Sequence, residues 1–158
     1  MPLPARYRFR PRFRGLAVLA MVLGLALGGY GLVAGGAAST ALVVIGMGGA
    51  ALGGLYLGSP AWRMEVVVHD DALEVLASGD RRFRLPWSEV TTVIASPATE
   101  TCFVDGGAPE RSLLVPGDGA PAPYAIEDAA GLYRAIVART PPERVREVAL
   151  LETTRRAA

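Results

Sequence analysis

From Gly15 to Trp62 the chain carries no Asp, Glu, Lys, Arg or His, and two long apolar runs in this block, residues 15–34 and 41–59, flank a small-residue segment, GGAAST, at residues 35–40. A bilayer's hydrocarbon core takes roughly 20 apolar residues of helix to cross, so each run predicts one membrane span and the GGAAST segment a tight turn outside the hydrocarbon. A cleavable signal peptide has an apolar core of only about 7 to 15 residues and is not followed at once by a second. The pattern therefore favours a two-helix membrane hairpin over residues 15–59.

After Pro60 the apolar period shortens. Residues 63–69, 72–77, 81–85, 89–95, 101–105 and 111–115 are β-rich runs bounded by Pro, Gly, Ser or Asp, and a further short one lies near residues 123–126. Strands this frequent with hairpin-length turns predict a small antiparallel sandwich or barrel. The period then changes again. In EDAAGLYRAIVART, residues 127–140, the apolar Ala129, Leu132, Tyr133, Ile136 and Val137 fall on one stripe with acids at the start and Arg139 near the end. This predicts an amphipathic helix whose stripe caps the open end of the barrel. Thr140 and Glu143 then have capping-box spacing with Pro141 at the first helical position, so residues 141–158 read as a short helix or a tail.

Charge sets the orientation. Arg6, Arg8, Arg10, Arg12 and Arg14 precede the first run and nothing charged lies between the two, which is the positive-inside signal for a cytoplasmic N-terminus. Two spans return the chain to its starting side, so the domain from residue 60 is expected in the cytoplasm too, with the whole held in the inner membrane. Residues 1–14 read as a basic cytoplasmic tail in which Tyr7, Phe9 and Phe13 lie at headgroup level, between arginines that meet anionic lipid non-specifically. The tail carries +5 and residues 61–158 carry −4, which together give the net +1; a nucleic-acid binder should carry its basic face on the folded domain, so that partner class is not expected. All 16 basic residues are arginine, a choice that reads as coding bias. No charged or amide side chain lies in either span, which leaves an ion path or proton relay without residues.

Gly24 and Gly28 on the first run, and Gly46, Ala50 and Gly54 on the second, recur at four-residue spacing. Small residues so placed let helix backbones approach closely, within the hairpin or between copies in a homo-oligomer.

Two membrane helices, about seven strands and a helix resemble the bacterial pleckstrin-homology-like (PH-like) membrane proteins, over residues 62 to about 139. The motif that carries the resemblance is Leu85-Pro86-Trp87-Ser88-Glu89-Val90, similar to the family's mid-domain step; Leu85, Pro86, Trp87 and Glu89 are read as structural. The resemblance implies a two-sheet barrel closed by a C-terminal helix and used for binding. Phosphoinositide-binding members of the wider fold gather basic residues in the first hairpin loop, where this chain has His69, Asp70 and Asp71; two carboxylates repel a phosphorylated headgroup.

One cysteine, Cys102, and one histidine make a disulfide, zinc or iron–sulfur site unlooked-for, and no cofactor is expected. Cys102 reads as a small buried hydrophobe. Residues 115–123, VPGDGAPAP, read as an irregular surface loop. The expected function is a membrane-anchored binding or scaffold module without catalysis that engages a protein partner. The alternatives are a self-assembling or lipid-responsive structural membrane protein and an enzyme subunit using His69, Asp70 and Asp71.

Overall fold

The computed structural model of the protein describes residues 4–151 apart from Asp118, Gly119 and Pro121. The chain forms two compact units, one of residues 11–59 and one of residues 1–10 with 60–158.

The first unit is a pair of helices, α1 (Arg14–Ala34) and α2 (Ala37–Leu57), each 21 residues long. At 1.5 Å per residue each is about 31 Å in length, matching a hydrocarbon core of about 30 Å. Both are long and apolar enough to cross a membrane. The reversal between them is tighter than the GGAAST segment predicts. Gly35 and Gly36, at φ 64° and 92°, turn the chain alone, because glycine enters this region without a Cβ clash. Helix α2 starts at once, and Ser39 donates from both its amide and its hydroxyl to the Gly36 carbonyl.

The second unit holds two sheets. The first is ordered β4-β3-β2-β1-β8, built from β1 (Ala5–Pro11), β2 (Met64–Val68), β3 (Ala72–Ala77), β4 (Asp80–Pro86) and β8 (Tyr124–Ile126). The second is ordered β7-β6-β5-β9, built from β5 (Thr92–Ser96), β6 (Thr101–Asp105), β7 (Leu113–Val115) and β9 (Val145–Glu147). Residues 5–11 are therefore not a tail. They form an inner strand, antiparallel to β2 in the register Ala5↔Val68 to Arg8↔Glu65, with β8 on the other side; the Glu127 amide donates to the Arg8 carbonyl at 2.9 Å. Alternation explains the strand. Tyr7 and Phe9 are each only 4% exposed and join the core, while Arg6, Arg8 and Arg10 stand outward, as a pleat with one buried face requires. Tyr7 and Phe9 thus do not lie at headgroup level, whereas Phe13 is exposed.

Inserting the helix pair between β1 and β2 renumbers the loops. The His69–Asp71 turn, expected as the first hairpin loop, joins the second and third strands; it is closed by the His69 amide donating to Ala72 at 2.9 Å. The sheets do not form the closed barrel that the strand pattern suggests. Pro86 lacks the amide for a continued ladder, and a 3-10 turn, Trp87–Glu89, carries the chain from β4 into the second sheet. Nor is that second sheet purely antiparallel, since β9 runs parallel to β5.

The core lies between the sheets and is closed by α3 (Ala129–Arg139), whose Leu132, Tyr133 and Ile136 are buried as the stripe predicts. Asp128 caps this helix, its carboxylate accepting from the Gly131 amide at 3.1 Å. Among the described residues no second short α-helix follows. Thr140 donates backwards to the Ile136 carbonyl at 2.9 Å, so its hydroxyl ends α3 and does not start a capping box. Tandem prolines lead instead into a 3-10 turn, Pro142–Arg144, and then β9. Arg144 fastens this segment by donating to the carbonyls of Ser88 and Val90, both at 2.7 Å. Residues 152–158 and the middle of the 115–123 loop lie outside the described residues.

Candidate functional site

The outward face of the first sheet carries most of the protein's charged chemistry. Period-two alternation puts Arg6, Arg8 and Arg10 of β1 on that face, beside Glu65 of β2 and, one strand further, Glu74 of β3. Arg8 Nε donates to Glu65 Oε1 at 2.9 Å and Arg6 Nη1 lies 3.5 Å from Glu65 Oε2. Arg10 Nη2 donates to Glu127 Oε1 at 2.6 Å. These arginine side chains are 62–70% exposed, so each pair contributes at most about 1 kcal/mol and is readily exchanged for another anion. Around them runs an open groove of about 770 Å³, lined by Arg6, Arg8, Arg10, Trp62, Arg63 and Glu65 among others.

At the other end of the same face the turn chemistry is committed. His69 Nε2 lies 3.0 Å from Glu74 Oε2, and Arg81 Nε donates to Glu74 Oε1 at 2.6 Å. Asp71 takes Arg84 at 2.6 Å. His69, Asp70 and Asp71 are therefore not assembled into one constellation: the histidine turns to Glu74, Asp71 turns to Arg84, and Asp70 is exposed. Glu74 is the residue that sequence reasoning missed. It occupies a polar position of an alternating strand, yet Glu74 is only 8% exposed because its neighbours close over it.

The Arg81 guanidinium, helped by His69 and opposed by desolvation, holds the Glu74 carboxyl below its ordinary value of 4.5. A depressed carboxyl stabilises the fold fully above its unfolded value, and that contribution drains away as pH falls through the folded one. The thermal unfolding temperature should accordingly fall between about pH 6 and about pH 3, and with a shallower slope in Glu74→Gln. Equal slopes in the two proteins would assign the acid sensitivity elsewhere.

The Leu85-Pro86-Trp87 motif is structural in this fold. Leu85 is fully buried and Trp87 is 7% exposed, with its indole N–H donating to the His69 carbonyl at 3.3 Å. Glu89 binds Arg111 at 2.5 Å on the far side of the turn. Cys102 is buried, and desolvation pushes its thiol up to about 12, which keeps it protonated and unreactive at neutral pH. Among the described residues no cluster of three or more His, Cys, Asp or Glu is placed to hold a metal ion.

On the helix pair, Gly24, Gly28, Gly46 and Ala50 meet at the interhelical contact; a Cβ on Gly24 would stand 2.5 Å from the Gly46 carbonyl and 2.7 Å from the Ala50 amide. Gly54 does not join them, since a Cβ there meets nothing within 4 Å. Its neighbour Gly53 takes the seam instead, 2.6 Å from the Ala17 carbonyl by the same measure. Strict four-residue spacing overshoots a helix of 3.6 residues per turn and drifts off the contact, whereas 46, 50 and 53 alternate four and three and stay on it.

Comparison with known proteins leaves these features to speak for themselves: the chain matches no protein-family model, no curated protein and no solved structure.

Proposed function

We propose that the protein is a two-pass membrane protein that holds a small PH-like β domain at the cytoplasmic face of the inner membrane, as a scaffold for a protein partner and without catalysis of its own. The observation that carries this reading is the pairing of β1 with β2. One strand precedes the helices and the other follows them, so both ends of the hairpin belong on one side of any membrane the helices cross. An even number of crossings is what two spans provide. The helices add a second support, since Leu16, Leu23, Leu32, Val33, Ile45 and Leu55 are all more than half exposed; an apolar surface of this kind is solvated by lipid or covered by a partner. The arginines before α1 supply the direction.

For partner capture the β4 edge is favoured. Of the four edge strands, β4 has seven residues and the others three each, so it offers the longest row of main-chain groups to an added strand. Arg82 on it, which makes no ion pair among the described residues, favours a peptide with an acidic residue. The test is purification of the full-length protein from native membranes in mild detergent, followed by mass spectrometry. A stoichiometric partner lost in Arg82→Pro, which removes an edge amide, supports the reading; recovery of the protein alone removes it.

Topology is checked separately. A C-terminal fluorescent fusion is expected to be bright and an alkaline phosphatase fusion at the same place inactive, and the reverse pattern would overturn the orientation.

A further inference from the structure

The groove on the outward face of the first sheet combines residues that the sequence keeps far apart. Arg6, Arg8 and Arg10 come from the strand before the helices, and Trp62 and Arg63 from the segment after them. Against these four cations stand Glu65 and Glu127, the two carboxylates of the lining, leaving two positive charges in excess. Arg63 makes no side-chain ion pair among the described residues, Arg6 is held to Glu65 at only 3.5 Å, and the arginines that are paired are mostly exposed. Their guanidinium forks match phosphate oxygens as well as carboxylates. Met64, Leu76 and Ser78 also line the groove, so beside the guanidinium forks it offers a little apolar surface, as the glycerol end of a phosphate-bearing headgroup requires.

Sequence proximity supplies the source of such a ligand. Arg10 stands four residues before Arg14, where α1 begins, and Arg63 stands six after Leu57, where α2 ends. At no more than about 3.5 Å per residue, the two cations lie within contours of about 14 Å and about 21 Å of the helix ends. We infer that this groove is a binding site for the headgroup of an anionic glycerophospholipid from the leaflet in which the helices end, with Arg8 and Arg63 gripping the phosphate and Glu65 yielding its hold on Arg8. The inference rests on the membrane reading proposed above.

The test uses the full-length protein in nanodiscs made of equal parts phosphatidylcholine and phosphatidylglycerol, with native mass spectrometry counting the lipids retained. Wild type should retain phosphatidylglycerol in preference, and Arg8→Gln/Arg63→Gln should lower that preference about tenfold. The charge-matched Arg12→Gln/Arg14→Gln, outside the groove lining, should keep most of it. Glu65→Gln, which releases Arg6 and Arg8, should raise it more than Glu110→Gln does. Equal losses in the two double variants would mean diffuse surface charge and would overturn the site, as would no gain in Glu65→Gln. Displacement of the lipid by millimolar inorganic phosphate would identify a free phosphate as the ligand and overturn the lipid assignment. Failure of the protein to enter discs at all is a different result, and it would sink the membrane reading itself.

Discussion

A fragment beginning at Pro60, which contains eight of the nine strands seen among the described residues and the whole of α3, is expected not to fold. Strand β1 is an inner strand between β2 and β8, so its removal opens two ladders at once. It also removes Tyr7 and Phe9 from the core, where each is 4% exposed and the Phe9 ring lies 5.0 Å from that of Tyr124. Truncating a buried aromatic residue costs about 3–5 kcal/mol, and a small domain has only about 5–15 kcal/mol of net stability. The loss of both, about 6–10 kcal/mol, takes up most of that margin before the two opened ladders are counted. The complementary protein restores the strand without the helices. The register Arg8↔Glu65, continued two residues further, sets Arg10 opposite Arg63, so a short Asn-Gly-containing loop between these arginines should close an ordinary hairpin. The joined protein is expected to be soluble, to show a dispersed amide spectrum and to unfold cooperatively on heating, while the fragment stays unfolded or aggregates. Equal melting of the two would show that β1 adds nothing.

That contrast marks what could be read from the chain by itself. The helix pair was legible because the absence of any charge from Gly15 to Trp62 leaves few other structures open. Strand β1 was visible too, as an Arg–Tyr–Arg–Phe–Arg alternation, but the positive-inside rule already accounted for the arginines and absorbed the signal. Local pattern also has no means of pairing residue 8 with residue 65 across two long apolar helices. The short strand β9 was hidden for a different reason. It has three residues, and Thr140, Pro141 and Glu143 present helix-start chemistry that Thr140 in fact spends on the end of α3.

The groove was half legible for the same topological reason. Its arginines stand out in the sequence as cations, but their convergence with Trp62 and Arg63 depends on β1 lying beside β2. Glu74 was not legible. Burial of its carboxylate comes from side chains on two other positions, His69 and Arg81, closing over it, and alternation alone assigns it to solvent. Trp87 and Leu85 were read as structural from residue type, and that part of the motif needs only their size and apolarity to be placed in the core.

The second large effect is expected in the helix pair. In Gly46→Leu the new Cβ would stand 2.5 Å from the Gly24 carbonyl and 2.5 Å from the Gly28 amide, both backbone atoms that no rotamer change can move aside. The helices must separate along the seam or slide past it. In a bilayer, lipid tails would solvate the freed surface as well as a helix does, so close packing is the main force that would hold such a pair together there, and its loss costs about 1–3 kcal/mol. Gly54→Leu changes the same residue type on the same helix, but a Cβ there meets nothing within 4 Å, and it should leave the pair intact. A disulfide reporter separates the two cases. With cysteines in place of Ala20 and Gly49, which approach across the contact at 3.8 Å from the Ala20 carbonyl to a Cβ on Gly49, oxidative cross-linking in membranes should be high in the parent and in Gly54→Leu, and should fall severalfold in Gly46→Leu. Loss of the cross-link in Gly54→Leu with retention in Gly46→Leu would place the contact on the four-residue ridge through Gly54 and reject the alternating four–three seam.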